Sequence, residues 1–192
     1  GAVFKSPQYM EQFRFQTQDE VGGPRFVKFD LDLPMIISVG AAWHGMQDAV
    51  WALDVRYFDY ENTDGFGDSG FNPDGSIRGF NWRNTVSVAL GGRFRVSDRI
   101  TLGLGYQYNP SPIEEADTVF NLATPLFQEH MISTGGSFNL TPCVELHAAY
   151  SYFFDNSITG PISTAATGPI PGTSVTNGLS AHFVSMGVSV KY

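Results

Sequence analysis

The sequence that decides the fold spans Trp82–Asn109 and reads WRNTVSVALGGRFRVSDRITLGLGYQYN. Apolar side chains recur at even-numbered positions, first over 86–96 and again over 100–108, with small or polar residues between them. Because side chains alternate between the two faces of a strand, each arm has one apolar face and one small or polar face. Ser97-Asp98 lies between the arms and predicts a tight hairpin turn.

The length of the two arms and the character of their polar face indicate a membrane environment. Each arm is roughly 10 to 14 residues long, whereas ordinary strands most often have about 5 or 6 and a tilted strand that crosses a bilayer needs about 9 to 11. The polar face is small and glycine-rich, where a soluble sheet would usually carry Lys, Glu and Thr. The hairpin is therefore predicted to belong to a transmembrane β-barrel, with its apolar face toward lipid and its polar face toward the lumen.

The composition agrees with a barrel and excludes several other classes. Charged residues make up only 16% of the 192 residues, below the roughly 25% that is usual for soluble domains. No apolar run is long enough for a transmembrane helix. The formal net charge of -8 argues against a nucleic-acid partner, and the single cysteine, Cys143, excludes an internal disulfide framework. A mean hydropathy of -0.10 is expected when only every second strand residue faces lipid.

The rest of the chain continues the pattern. Further strands are predicted over 27–43 (one strand bent at Pro34, or two collinear pieces), 51–57, 126–140, 144–154 and 184–192. Short turns at 44–47, 97–98 and 141–142 alternate with long loops at 61–81, 110–125 and 155–178. Bacterial outer-membrane barrels have this alternation of short periplasmic turns and long external loops, and aromatic residues gather at their strand ends, as they do here. A soluble β-sandwich would explain the alternation of side chains but neither regularity.

The fold prediction is all-β: an antiparallel transmembrane β-barrel in which residues 1–192 form a single segment of about eight strands. The first residues do not form a signal peptide, which decides nothing because a mature exported protein would also lack one. The chain is expected to open inside a strand, which suggests a fragment of something longer.

Several segments, taken in order, resemble the FadL/TodX (OmpP1) family of outer-membrane transporters of long-chain fatty acids and other hydrophobic compounds. The similar segments are LPMIISVGAAW (33–43), WALDVRYFDY (51–60), NTVSVALGGRFRVSDRITLGLGYQYNPSPI (84–113), EHMISTGGSFNLTPCVELHAAYSYFF (129–154) and VSMGVSVKY (184–192). Their order and spacing match the C-terminal half of that family, although each segment alone is only weakly specific.

The resemblance implies a barrel of about fourteen strands in the outer membrane of a Gram-negative bacterium. It further implies passive, cofactor-free transport of hydrophobic small molecules, such as long-chain fatty acids or aromatic hydrocarbons, rather than enzyme activity. The expected partners are the hydrophobic ligand, outer-membrane lipid and lipopolysaccharide, and the barrel-assembly machinery, which would read the terminal Tyr192. The family's N-terminal plug has no counterpart in the sequence.

Three luminal arginines are candidate ligand-binding residues: Arg56, Arg83 and Arg93. A guanidinium offers two parallel donors to a fatty-acid carboxylate. The alternative is that these arginines compensate luminal acids such as Asp54 and Glu145.

Glu145 and His147 lie two residues apart on the polar face and are further candidates for contact with ligand. The same pair could act as a general acid and base, or His147 could serve a hydrolase that uses Ser133 or Ser151. An outer-membrane lipid hydrolase and a structural or adhesive barrel are therefore the alternatives to transport.

Two motifs in the first long loop have less specific readings. The glycines of GFGDSG (65–70) match a dinucleotide-binding spacing, but an acidic loop without a helical pattern does not suit a pyrophosphate. The acids of this loop could hold a divalent cation, although they lack the spacing of a calcium-binding loop. They are Asp59, Glu61, Asp64, Asp68 and Asp74.

Overall fold

The protein is described by a computed structural model that covers residues 1–19 and 21–191. Within these residues nearly all regular structure is β. The strands are β1 Ala2–Lys5, β2 Phe13–Gln18, β3 Pro24–Phe29, β4 Met35–Met46, β5 Ala49–Asp59, β6 Thr85–Arg95, β7 Ile100–Tyr108, β8 His130–Thr141, β9 Val144–Gly160, β10 Ser163–Thr164, β11 Gly168–Pro169 and β12 Val175–Val190. A 3-10 helix spans Glu115–Asn121. None of the described helical residues forms a segment long and apolar enough to cross a bilayer.

Eight of the strands form one antiparallel sheet in the order β1-β4-β5-β6-β7-β8-β9-β12. The prediction of about eight strands in an antiparallel barrel wall is therefore confirmed. Neighbouring strands follow one another along the chain, except where the hairpins β2–β3 and β10–β11 are inserted into loops. The sheet does not close on itself, because β1 and β12 lie at opposite edges.

The two faces of the sheet have the reverse of a soluble protein's polarity. On β6 the polar side chains of Thr85 and Ser87 are buried on the inner face, whereas Val86 and Leu90 point outward and are exposed. On β7 the outward Leu104 is 61% exposed. Burying one such side chain is worth about 1.5–3 kcal/mol, so an uncovered face of this kind requires lipid in place of water.

The strand lengths match the thickness of a membrane. Strands β4 to β8 have 9 to 12 residues, enough for a tilted strand to cross a bilayer, which needs about 9 to 11. Strands β9 and β12 are longer, with 17 and 16 residues, and extend beyond the level at which the others end. The predicted loop over 155–178 is therefore wrong in extent, since strand continues to Gly160 and resumes at Val175.

A β-bulge explains why this extension was missed. Between Leu179 and Ala181 the pairing shifts from Asn156 to Phe153, so two residues of β9 lie opposite one residue of β12. The extra residue reverses the facing of the following residues and breaks the alternation on which sequence reasoning depends. As a consequence Ile158 turns inward and packs against the buried loop residues.

The predicted strand over 27–43 is also wrong. Residues 24–29 form β3, which pairs with β2 in a separate hairpin, and the barrel strand begins only at Met35. Pro34 has no N–H to donate to a neighbouring strand. The segment before it is held by a side chain, since the Asp32 carboxylate accepts a 2.8 Å hydrogen bond from the backbone N–H of Met10. Val27 is buried, so its alternation reflects packing in a loop rather than contact with lipid.

The short turns occur close to where the sequence places them. The predicted turn at 44–47 is displaced, because β4 continues through an irregularity after Trp43 as far as Met46. The chain then reverses at Gln47-Asp48, where Asp48 has a left-handed φ of 63°. The turn predicted at 141–142 lies one residue later, at Pro142-Cys143.

The facing of β7 makes a direct prediction about stability. Leu102→Arg places a charge on the lipid face and should lower the free energy of unfolding in lipid vesicles by about 2–4 kcal/mol near the midplane. Thr101→Arg is the matched control, because Thr101 points to the inner face and should lose much less. Urea titration of both variants of the complete gene product would measure the difference. Equal losses would contradict the assignment of the faces.

Candidate functional site

The inner face of the barrel wall is lined mainly by small side chains. Gly91 pairs with Gly105, and Gly103 pairs with Gly135, across three successive strands. Ser133 and its neighbours continue the small lining. Such a surface leaves space inside the curved sheet and presents few side chains that would obstruct a passing molecule.

Near the short-turn end of this face the structure brings three predicted residues together. Arg93, Glu145 and His147 line one open pocket of about 460 Å³, with Thr101 and Ser137 between them. They come from β6 and β9, which β7 and β8 separate, so the sheet register rather than proximity along the chain assembles the group. The pocket combines a guanidinium, a carboxylate and an imidazole on an otherwise small-residue surface.

His147 is paired with a serine that sequence reasoning did not select. Its Nε2 lies 2.9 Å from Oγ of Ser189 on β12. The predicted partners Ser133 and Ser151 pair with each other, four residues along β9 from His147, or about 13 Å at the rise of a strand. The proposed pairing of His147 with either of them is therefore wrong.

The other two arginines lie apart from this pocket. Arg83 is in the loop before β6, where Nη2 forms an ion pair of 2.6 Å with Glu114 and the backbone N–H bonds to the Pro112 carbonyl. Arg56 is an exposed residue of β5 opposite Ser38 and Ser87. Within residues 1–19 and 21–191, neither Arg56 nor Arg93 forms an ion pair with Asp54 or Glu145.

The long loops do not form a solvated fringe; they fold into a cap over the opposite end of the sheet. The centre of the cap is a buried cluster of Trp82, Ile113 and Phe127. The partly buried side chains packed around it are Tyr60, Phe66, Phe80 and Ile158. The ring of Trp82 contacts Tyr60 edge-on at 5.1 Å and Phe66 at 4.8 Å. Aromatic contacts of this kind stabilise beyond the area they bury.

One buried side chain joins the two main loops of the cap. Asn121, the last residue of the 3-10 helix, accepts a 2.6 Å hydrogen bond from Nε1–H of Trp82. Its amide donates to the carbonyls of Phe80 and Asp117, each at 2.9 Å. The Thr124 hydroxyl also donates to its side-chain oxygen at 3.4 Å, so all four hydrogen-bonding positions of the amide are used inside the cap. Asn121 therefore fixes the helix against the loop that contains Phe80 and Trp82.

The helix is also held directly against the barrel wall. Gly160, the last residue of β9, lies so close to the Glu115 carbonyl that an added Cβ would overlap it. Thr118 is fully buried in the same contact and donates from Oγ1 to that carbonyl at 2.8 Å. Glycine is required here by close approach of backbone to backbone.

The hairpin β2–β3 belongs to the same cap. Its Phe29 ring packs on Phe80 at 5.5 Å, and the Arg25 guanidinium donates to the Asp74 carbonyl at 3.2 Å. This hairpin and the 3-10 helix are the parts of the candidate site that sequence reasoning missed. The only signal was that large apolar residues, Phe13 and Phe15 among them, occur outside the predicted barrel strands.

An open cleft of about 530 Å³ lies between the loop after β7 and the upper part of β9. Ile113, Phe127 and Ile158 form its apolar side, and Glu114 and Glu115 its acidic side. This cleft adjoins the apolar centre of the cap.

The acidic residues of loop 61–81 are used to shape that loop. Asp68 pairs with Arg78 at 3.0 Å, and Asp59 accepts from the Asn62 amide at 2.7 Å. Asp74 accepts from the hydroxyl and the backbone N–H of Ser76, which lowers its pKa. Among the described residues no three His, Cys, Asp or Glu side chains are grouped as a metal site.

The glycines of GFGDSG (65–70) are used as turn residues. Gly65 and Gly70 have left-handed φ values of 79° and 80°. The segment belongs to the folded cap, and strand β6 rather than a helix follows it. It therefore lacks the strand-turn-helix context of a dinucleotide site.

Asp117 is an acid that the cap buries beside Trp82 and Asn121. It is only 6% exposed, and Oδ2 accepts a 2.9 Å hydrogen bond from the Asn81 amide. Burial raises the pKa of its carboxyl, the neighbouring Glu114 raises it further, and the Asn81 hydrogen bond and Arg83 oppose the increase. The folded cap thus binds a proton at Asp117 more readily than the unfolded chain does.

An antiparallel sheet with an exposed apolar outer face, a small and polar inner face, and folded loops at one end defines the wall of an outer-membrane β-barrel. Comparison with known proteins makes the class specific. The family model described as "Outer membrane protein transport protein (OMPP1/FadL/TodX)" matches residues 22–192. The chain belongs to this family, whose members are transport proteins of the Gram-negative outer membrane and not enzymes.

Solved structures share the fold at low sequence identity. The toluene transporter TodX of P. putida has 12% identity and a TM-score of 0.65 over 100% of this chain and 45% of its own. A Pseudomonas aeruginosa FadL homologue has 18% identity and a TM-score of 0.63 over 87% of this chain and 38% of its own. The CymD monoaromatic hydrocarbon channel has 13% identity and a TM-score of 0.57 over 100% of this chain and 47% of its own.

This chain therefore spans less than half the length of these solved structures. Among curated proteins no sequence matches it significantly. Tyr192, the residue that the barrel-assembly machinery is expected to recognise, lies outside the described residues.

The buried carboxyl predicts how the cap responds to pH. Because the folded pKa of Asp117 is raised, its contribution to stability is complete below the unfolded pKa and is lost as the pH rises through the folded value. Asp117→Asn keeps an acceptor for Asn81 but cannot ionise, so it should increase the protection of the cap at pH 7. Hydrogen–deuterium exchange over 115–121, corrected for intrinsic rates, would measure this.

The matched control is Glu115→Gln, which changes an exposed carboxylate in the same helix and should leave that protection unchanged. A loss of protection in Asp117→Asn would mean that the ionised carboxylate holds the cap.

Proposed function

We propose that this protein transports hydrophobic small molecules passively across the outer membrane. It takes them up at the loop end and releases them into the lumen or sideways. Membership of the outer-membrane transport family carries this proposal. The driving force is transfer of the molecule's apolar surface out of water, about 25 cal/mol per Å². Neither a cofactor nor a covalent step is involved.

Two features of the chain support this route. At the loop end, a cleft beside the apolar centre of the cap offers the partly exposed side chain of Ile158 among polar and acidic residues. Beyond it, the inner face is lined by glycine and serine and offers little obstruction. A hydrophobic molecule that leaves the cleft would therefore meet a lining to which it binds weakly, as transport requires.

The substrate class is proposed from the chemistry of the luminal pocket and from the relatives. Related proteins are described as a toluene transporter and as a monoaromatic hydrocarbon channel. In the luminal pocket Arg93 lies with His147 and the carboxylate of Glu145, and since Arg93 forms no ion pair with Glu145 among the described residues, its guanidinium could bind a molecule with a carboxylate head and an apolar tail. We propose long-chain fatty acids as substrates and neutral aromatic hydrocarbons as the alternative.

Uptake by intact cells tests transport. Cells that express the complete gene should accumulate labelled oleate, labelled toluene or both faster than cells without it, with no hydrolysis of lipid esters. A deletion strain that carries an unrelated barrel of similar size controls for leakage. Identical uptake of both compounds with and without the gene would leave a structural or adhesive barrel as the remaining reading.

Arg93 separates the two substrate classes. Arg93→Gln should slow oleate uptake about tenfold, equivalent to about 1.4 kcal/mol for one lost charge-assisted contact, and leave toluene uptake unchanged. Arg95→Gln is the matched control, because Arg95 is on the same strand but is bonded to Asp98 at 2.7 Å. Equal slowing of both compounds by Arg93→Gln would mean that Arg93 shapes the pore instead of binding a carboxylate.

A further inference from the structure

Two histidines on the outer, lipid-facing surface are held in the same way by tyrosines of the neighbouring strand. In the first unit, Nδ1 of His130 on β8 lies 2.7 Å from the hydroxyl of Tyr106 on β7. The imidazole also packs on the ring of Tyr108, with centroids 5.0 Å apart and planes inclined by 32°. Tyr108 is the residue directly opposite His130 in the register.

The second unit repeats this geometry on another pair of strands. Nδ1 of His182 on β12 lies 2.7 Å from the hydroxyl of Tyr150 on β9. The imidazole packs on Tyr152, its direct register partner, at 4.8 Å and an inclination of 32°. In each unit a Tyr-x-Tyr sequence on one strand holds a histidine on the next. We call these the two Tyr-His units.

Both units lie at the outer boundary of the apolar face. On β12 the outer face carries Val184, Met186, Val188 and Val190 on one side of His182 and Ser180 on the other. From Val190 to His182, eight residues along a strand tilted by about 40° cover about 20 Å of membrane thickness, close to the apolar band of about 25 Å in such barrels. The imidazoles thus lie where hydrocarbon gives way to lipid headgroups, on the side of the long loops.

The hydrogen bond to tyrosine determines what each imidazole presents to its surroundings. A phenol is the stronger hydrogen-bond donor, so the Tyr hydroxyl donates to Nδ1 and the ring proton resides on Nε2. Nε2–H has no partner within the described part of the chain, and both histidines are exposed. Each unit therefore directs one fixed N–H donor outward, and protonation would add a positive charge without removing that donor.

Positive charge is scarce among the described residues of this face. The outward positions of β5 to β9 and β12 contain no Lys or Arg; the luminal Arg56, Arg93 and Arg95 all point the other way. Among the described outward residues of these strands, only His130 and His182 have basic side chains. A partner with a phosphate at headgroup level and acyl chains below it would match both the donors and the aliphatic surface beneath them.

We propose that the two Tyr-His units bind the phosphate groups of outer-leaflet glycolipid, of the lipid A type, whose acyl chains cover the aliphatic face next to them. This inference concerns the outer surface and does not depend on what the lumen transports. Tyr106 and Tyr150 are positioning residues, because they act by fixing the imidazole. His130 and His182 make the contact through Nε2–H.

Native mass spectrometry of the complete gene product in detergent tests the proposal. Diphosphoryl lipid A and the same lipid after removal of its phosphates are offered in equal amounts. The native protein should retain the phosphorylated lipid about tenfold better, the difference expected for two charge-assisted hydrogen bonds in an exposed setting. Equal retention of the two lipids would overturn the proposal without any variant having to fold.

Variants locate the contact. His130→Phe with His182→Phe keeps the rings and their stacking but removes Nε2–H, and should abolish the preference for phosphate. Tyr106→Phe with Tyr150→Phe removes only the hydroxyls and should reduce the preference about threefold, because the imidazole proton is no longer fixed on Nε2. Thr134→Val, a polar-to-apolar change on the same face, should leave the preference intact.

Two results would overturn the assignment. One is a double histidine variant that still prefers phosphorylated lipid while it runs as a folded, heat-modifiable band. The other is loss of the lipid from the native protein on addition of millimolar inorganic phosphate, which would show a site for free anions instead of for a lipid.

Discussion

The structure depends on the absence of water around the outer face of its sheet. In hydrocarbon every backbone N–H and C=O must be paired within the protein, so the eight strands form one continuous antiparallel ladder from β1 to β12. The same constraint places Leu104 and its outward neighbours in lipid and the hydroxyls of Thr85 and Ser87 on the inner face. It also leaves the two edge strands needing partners, which the predicted barrel of about fourteen strands would supply.

The loop end follows ordinary soluble-protein rules, and this contrast organises the molecule. The centre of the cap is apolar, around Trp82 and Phe127, and its polar groups are satisfied internally, as the side-chain hydrogen bonds of Asn121 show. The wall is organised in the opposite way, with its apolar groups outside. The transition occurs at the end of β9, where the bulge turns Ile158 from the pattern of the wall into the core of the cap.

The two faces of the wall carry different chemistry as a result. On the inner face, Arg93, Glu145 and His147 lie together on a small-residue surface at the short-turn end. On the outer face, the imidazoles of His130 and His182 lie where the hydrocarbon ends, and tyrosines fix them there. Polar groups are thus concentrated at the levels and on the faces where water or headgroups can meet them, which limits the cost of burying them.

The sequence by itself determined the wall. Period-2 alternation along 86–96 and 100–108 needs only local geometry to predict two strands, their faces and their environment, and the ordered segments from 33 to 192 were enough to indicate the family. What only the tertiary structure decided involves contacts between distant residues. The docking of the 3-10 helix on Gly160, the assignment of β3 to a loop hairpin, and the pairing of His147 with Ser189 all depend on register or on packing between loops. Alternation reports which face a residue occupies, but a bulge can reverse it, and it contains no information about which strand or loop lies opposite.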